Sequence, residues 1–333
     1  MIDTIGPHIL KVPMLGKTRA HLNALIIAAA VAVAGCGGGS DAPEAGAETG
    51  DAPVVAAPQG GDMIIVTGAS EELGGLVVDE LLERGVAASR LILVSSSPQS
   101  LSRYASMGAS TRSGDLSQPA TLAAAYEGGD RMLLVSLDES GQRSDLHKNA
   151  IDAAVAAGVS HIAYTSIVDL DNNQSPLATD HRLTEQVLRE SGVAWTMLRN
   201  NVYMDPLVGT SIDMIVNGSV ERATTGAISY VTMQDCAAAA AAVLATDGHE
   251  NQAYDITGPA AVFPQDIAAA LTEVTELAVR VTDPSGASAG GPMSSPSFAV
   301  VSDAVQRLTG QAPMSVRDLL EAHHDEIMSN TGA

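Results

Sequence analysis

Short apolar runs alternate along this chain with longer stretches whose apolar residues recur at helical spacing. Met63–Val66 and Leu91–Val94 are unbroken apolar runs of strand length, the pattern of strands covered on both faces. Thr111–Arg112, just before Gly114-Asp115, is a weaker third strand. Arg131–Val135, His161–Thr165 and Trp195–Leu198 read as the fourth, fifth and sixth. Helical spacing runs from Leu73 to Leu82 and over Gln99–Met107, Pro119–Tyr126, Ser144–Ala157 and Ala178–Ser191. This alternation predicts an α/β fold, a doubly wound parallel sheet with strand order 3-2-1-4-5-6. After Arg199 the rhythm loosens. Ser211–Val216, Gln234–Ala245, Pro264–Val274, Ser302–Leu308 and Ser315–Ile327 are predicted helices, and Tyr254–Ile256 a short strand. Asp283–Ser297 is a Gly/Ser/Pro loop. The folded part, 62–333, thus divides into a Rossmann core over about 62–200 and a smaller C-terminal substrate lobe over about 201–333.

The turn between the first strand and the first helix is Gly68-Ala69-Ser70-Glu71-Glu72-Leu73-Gly74. In a dinucleotide-binding turn the first glycine allows the bend, the middle one admits the pyrophosphate, and the third lets helix and strand pack closely. Here Glu71 holds the middle position. Two readings stand side by side. Carboxylates in a first helical turn complement the dipole by roughly 0.3–1 kcal/mol and point to solvent. Alternatively Glu71 and Glu72 fill the anion site themselves. A carboxylate about 4 Å from a phosphate would cost on the order of 1–4 kcal/mol.

The N-terminus reads as an export signal. Lys11, Lys17 and Arg19 precede an apolar run, Ala24–Ala34, too short for a spanning helix of roughly 20 residues. It ends Val33-Ala34-Gly35-Cys36, which resembles a bacterial lipobox, so residues 1–36 are expected to be a lipoprotein signal with Cys36 as the lipidated residue. Met14 serves equally well as a start. Residues 37–61 are Gly, Ala, Pro and acidic and read as a flexible tether. Cleavage before Cys36 takes the formal charge from −22 to −24 and leaves one lysine, Lys148. That balance excludes nucleic acid and direct anionic-lipid binding, so any membrane contact is through the lipid anchor. Cys236 is then the only cysteine of the folded part, so no disulfide forms within it.

Several ordered segments carry a family resemblance. They are "VTGASEELGGLVVDELLERGV", "SGDLSQPATLAAAYEGGDRMLLVS", "GQRSDLHKNAIDAAVAAGVSHIAYTS", "ATDHRLTEQVLRESGVAWTMLRNNVYMD" and "YDITGPAAVFPQDIAAAL". The chain resembles the NmrA-like branch of the atypical short-chain dehydrogenases, and within it the type 2 NAD(P)H:quinone oxidoreductases. The resemblance implies a Rossmann domain that binds NADP or NAD and passes hydride to a small-molecule substrate. The family's Gly-Ala-Thr-Gly-x-Leu-Gly motif maps onto Gly68, Ala69, Ser70, Glu71, Glu72, Leu73 and Gly74. Relatives usually place an Arg after the second strand for the 2′-phosphate of NADP; here stand Ser95, Ser96 and Ser97. The acidic residue that would favour NAD is absent too, which leaves both cofactors open. By the same resemblance Asp115 borders the adenine, and Val135, Ser136, Leu137, Thr165 and Ser166 lie near the nicotinamide. Asn200, Asn201 and Tyr203 match the loop covering nicotinamide and substrate.

The carbonyl-reducing Tyr-x-x-x-Lys pair is absent, since none of the six tyrosines has Lys four residues later. His181 stands where many relatives carry that lysine. Either it donates to a ribose or substrate oxygen, or it is a helix-surface histidine. Arg143 either balances phosphate or substrate charge or, by default, is a surface arginine, and His323-His324 reads as solvated rather than metal-binding. Met204 and Met214 read as lobe packing. Two functions follow: an NAD(P)H-dependent reductase of quinones or related acceptors, with His181 and Tyr203 nearest the chemistry, or a degenerate Rossmann module that binds a small molecule or partner without hydride transfer.

Overall fold

The computed structural model describes residues 61–137, 141–174, 176–221, 226–282 and 295–331. Cys36, the signal segment, the tether up to residue 60 and most of the 283–297 loop lie outside the described residues. Six strands follow the predicted positions: β1 (Ile64–Thr67), β2 (Leu91–Ser95), β3 (Ser110–Ser113), β4 (Arg131–Leu134), β5 (His161–Ile167) and β6 (Ala194–Asn200). The helices joining them are α1 (Glu72–Glu83), α2 (Ser102–Ser106), α3 (Leu122–Tyr126), α4 (Arg143–Ala156) and α5 (Pro176–Glu190). Then come α6 (Pro206–Val216), β7 (Ser219–Glu221), α7 (Met233–Ala245), β8 (Gln252–Ile256), α8 (Pro264–Thr275) and β9 (Arg280–Thr282). The described chain closes with α9 (Ala304–Thr309), α10 (Val316–Ala322) and α11 (His324–Thr331).

The main sheet is parallel throughout and runs β3-β2-β1-β4-β5-β6-β8. That is the expected order, with β8 added at the β6 edge. Pleat alternation explains why the central strands are apolar on both faces. Ile64 and Val66 join a cluster with α1 and α7, while Ile65 joins the opposite one with α3 and α4. Leu93 and Ile92, Leu133 and Met132, Ala163 and Ile162 divide the same way. The polar β3 fits its edge position, where residues are only half covered. α7 succeeds as a buried helix because six consecutive alanines, Ala237–Ala242, let it lie close to α1.

Past Arg199 the chain crosses between two layers. α7, β8 and α9 belong to the sheet and its α1-side core. α6, α8, α10 and α11 enclose a separate cluster around Met204, Leu271, Leu320 and Ile327, against which Met214 packs. The parallel pair β7–β9 joins that second layer, and its three-residue strands give too short a period to read in sequence. The single helix expected over Ser315–Ile327 is instead α10 and α11, divided at His323. The expected Gln99–Met107 helix begins as a 3-10 turn behind Pro98, whose ring excludes a preceding helical turn.

Candidate functional site

The glycine turn is built as its sequence requires. Gly68 takes φ +59°, a left-handed conformation that glycine adopts without strain. The Glu71 amide donates to the Gly68 carbonyl at 2.9 Å and closes the bend. A Cβ at Gly74 would stand 2.2 Å from the Gly68 carbonyl oxygen, so α1 sits on the turn at a distance only glycine permits. Leu73 is buried and belongs to the core through its side chain, while its amide lies in the first turn of α1. First-turn amides have no intrahelical acceptor, which makes this end of α1 an anion cradle. Glu71 is the N-cap, yet its side chain makes no cap hydrogen bond and is exposed, as is Glu72. The carboxylates therefore do not plug the cradle; they place negative charge beside it.

At the exit of β2, Ser95 is buried and its hydroxyl meets that of Ser70 at 2.7 Å. The Ser97 amide donates to Ser95 Oγ at 2.9 Å, and Ser96 is exposed. The Asp115 carboxylate accepts from the Ser117 hydroxyl at 2.6 Å, the Ser117 amide at 2.9 Å and Gln118 Nε2 at 2.8 Å. Those bonds, the Ser117 hydroxyl first, lower its pKa and fix the loop after β3.

Between the carboxyl ends of β1, β4 and β5, two threonines replace ladder bonds that the diverging strands no longer make. Thr67 Oγ1 donates to the Leu133 carbonyl and accepts from the Val135 amide at 3.0 Å. Thr165 Oγ1 accepts from the Ser136 amide at 2.8 Å. Beneath them lies a buried polar network. Arg143, expected at the surface, is 4% exposed, because it opens α4 facing inward and its Nε donates to the Leu137 carbonyl. Its Nη1 meets His181 Nε2 at 3.4 Å, and His181 Nδ1 meets the Tyr164 hydroxyl at 2.7 Å. A guanidinium only donates, so His181 Nε2 accepts and Nδ1 carries the proton. The Leu137 amide donates to His147 Nε2 at 3.1 Å, which makes His147 Nδ1 the donor to Thr184 Oγ1.

Burial, then neighbouring charge, depresses both imidazoles: His147 falls to about 3 and His181 to about 4. His181 is thus neither a surface histidine nor an open donor; it is 7% exposed with both nitrogens engaged. Glu185, one turn on, is fully buried and takes a bidentate bond from Arg199, Nε to Oε1 at 3.0 Å and Nη2 to Oε2 at 2.9 Å. The Ser166 hydroxyl donates to the same Oε1 at 2.7 Å. These bonds clamp α5 to the ends of β5 and β6.

Above the clamp, Asn200 Nδ2 donates to the half-buried Tyr203 hydroxyl at 3.1 Å. The other amide atom of Asn200, Oδ1, is buried without a partner. An unmet polar atom at a strand's carboxyl end suits a ligand rather than a core. Asn201 does not share that role: its side chain binds the Phe298 carbonyl and the Val202 amide. His323 and His324 pair with Glu326 and Asp325, and no group of three metal-ligating side chains occurs among the described residues.

The Gly68–Gly74 cradle and the open Asn200 amide, both along the carboxyl edge of one parallel sheet, define a Rossmann dinucleotide-binding domain. A family model described as NAD(P)H-binding matches residues 68–247. Quinone oxidoreductase 2 of Escherichia coli is 37% identical over 212 residues, covering 63% of this chain and 74% of that protein. An NAD(P)H azoreductase of Xenophilus azovorans is 32% identical over 224 residues, 66% of this chain and 76% of that protein. Among solved structures, an Escherichia coli NADPH-dependent quinone oxidoreductase in complex with NADPH is similar with a TM-score of 0.73 and 30% identity, over 79% of this chain and all of that one. Citrobacter triphenylmethane reductase with NADP(H) gives 0.72 and 29%, over 78% of this chain and 99% of that one. The chain belongs to the NAD(P)H-binding family of NmrA-like oxidoreductases.

Proposed function

We propose that the protein is an NAD(P)H-dependent reductase whose acceptor is a quinone or a comparably conjugated ring. One observation carries the choice of acceptor. The position that short-chain dehydrogenases give to lysine is His181, locked neutral between Tyr164 and Arg143, and the residue four before it is Leu177. No acid of the Tyr-Lys kind faces the acceptor. When bound, the reduced dinucleotide supplies a hydride. A simple ketone would then become an alkoxide, roughly as basic as hydroxide, and would need a proton from the protein. A quinone becomes a phenolate-like anion with a pKa of about 10, which water protonates without help. The chain's own task reduces to binding and orientation. Gly68 and Gly74 open the cradle, Ser136 is pinned by Thr165, and Asn200 and Tyr203 border the acceptor.

We further place the protein on a bacterial membrane, exported and held by a lipid on Cys36 through the 37–61 tether. The lipobox-like end and the acidic Gly/Ala/Pro segment support this. Fractionation tests it: Cys36→Ser should release the protein or leave it unprocessed, and a soluble cytoplasmic wild type would refute it. For the reaction, purified protein should oxidise NADH or NADPH on addition of benzoquinones and leave simple aldehydes and ketones untouched. Carbonyl reduction at a comparable rate would overturn the proposed acceptor class.

A further inference from the structure

The relay at the exit of β2 has a direction. The Ser97 amide donates to Ser95 Oγ at 2.9 Å. Ser70 Oγ donates to Glu71 Oε1 at 3.4 Å, because a carboxylate can only accept. The Ser70–Ser95 contact at 2.7 Å is therefore donated by Ser95. Every proton of the relay points toward Glu71, and Ser95 keeps an open lone pair rather than an open donor. Ser95 stands where a dinucleotide's adenosine ribose meets the end of the second strand. A ribose 2′-hydroxyl can donate there. A 2′-phosphate, largely dianionic at neutral pH, only accepts, and Ser95 offers it no donor.

Charge points the same way. The loop Ser95-Ser96-Ser97-Pro98-Gln99 contains no cation. Arg103 of α2 is paired with Asp79 of α1. Arg112 of β3 turns toward α3, its Nη1 donating to carbonyls at the end of that helix, 3.2 Å from Ala125 O and 2.6 Å from Glu127 O. Lys148 is paired with Asp152 on α4. The relay ends on the exposed carboxylate of Glu71, and Glu72, also exposed, follows it.

We infer that this site selects NADH over NADPH, with the Ser97–Ser95–Ser70–Glu71 relay accepting the adenosine ribose 2′-hydroxyl. The inference rests on the dinucleotide reading above and departs from the neighbours that hold NADPH. Titration of the purified full-length protein with NADH and with NADPH, followed by nicotinamide fluorescence, tests it without turnover. NADH should bind about tenfold tighter or more. Ser96→Arg, at an exposed position, should tighten NADPH about tenfold and leave NADH within about twofold. Ser95→Ala should weaken NADH severalfold and NADPH little. Wild-type NADPH binding equal to or tighter than NADH overturns the inference alone. Binding of neither dinucleotide, with an unchanged unfolding midpoint, overturns the dinucleotide reading and the inference with it.

Discussion

Two regions of one sheet edge differ in how they hold charge. At the glycine turn, Glu71 and Glu72 are exposed, make no helix cap and pair with no cation among the described residues, Glu71 accepting only from Ser70, so the local field is set by single side chains. At the ends of β4, β5 and β6, Arg143, His147, His181, Glu185 and Arg199 are buried and bonded to one another or to fixed backbone. A buried network has few tolerated changes, because removing one member strands another. An exposed turn has many. The glycine-turn end of the edge is thus adjustable, while the β4–β6 end is rigid and preorganised for one geometry.

The sharpest break of that contrast is Arg199→Met. It leaves the buried Glu185 carboxylate with the part-exposed Arg189 as its one charged partner beside the Ser166 hydroxyl, so unfolding free energy should fall by about 3–5 kcal/mol in urea titration. The double variant Glu185→Leu/Arg199→Met should recover most of the loss. Equal losses in both would mean that the pair acts only through packing.

Acid should act on the rigid region next. His147 and His181 titrate near 6.5 when unfolded but at about 3 and about 4 when folded. Between those values the unfolded chain binds more protons, so stability is complete above pH 6.5 and is lost as pH falls. Each histidine should contribute a slope of about 1.4 kcal/mol per pH unit over that window. His181→Gln should remove one such slope in unfolding midpoints measured from pH 7.5 to 4.5. An unchanged acid limb would contradict the buried neutral tautomer.

The turn should respond more gently and with the opposite sign. Glu71→Gly removes a charge and a side chain from the glycine turn but also the acceptor that orients Ser70 and Ser95, so affinity for NADPH should rise about tenfold, or roughly 1.4 kcal/mol, and affinity for NADH by less. Glu72→Gly should change affinity less. The smallest effect is expected from Tyr203→Phe, which deletes one bond from Asn200, for about 1 kcal/mol in acceptor binding or less. A large loss of turnover there would give the Tyr203 hydroxyl a direct part in the chemistry.

The open turn was legible in sequence and the rigid network was not. Glycines at 68 and 74 announce themselves, because Gly74 has no room for a Cβ and Gly68 takes a left-handed φ that favours glycine. The central strands were equally plain, since burial on both faces leaves unbroken apolar runs. Arg143 and His147 defeat a polarity-based reading: polar residues default to the surface unless their partners are known, and their side-chain partners lie 38 and 37 residues away. One signal was present. His181, Thr184, Glu185 and Leu188 share a helix face, and in the structure all four point inward. Polar residues at core spacing mark a satisfied network rather than a wet surface.

Hydride transfer at this edge is open to a single-turnover experiment. Purified protein preloaded with one equivalent of NADH is mixed with excess benzoquinone, and nicotinamide absorbance is followed with ordinary NADH and with NADH deuterated at both C4 positions. Complete oxidation of the bound dinucleotide is expected, with one hydroquinone formed per NADH and a slower trace for the deuterated form. NADH that stays bound and reduced in the presence of quinone would contradict it and leave a binding module in place of a reductase.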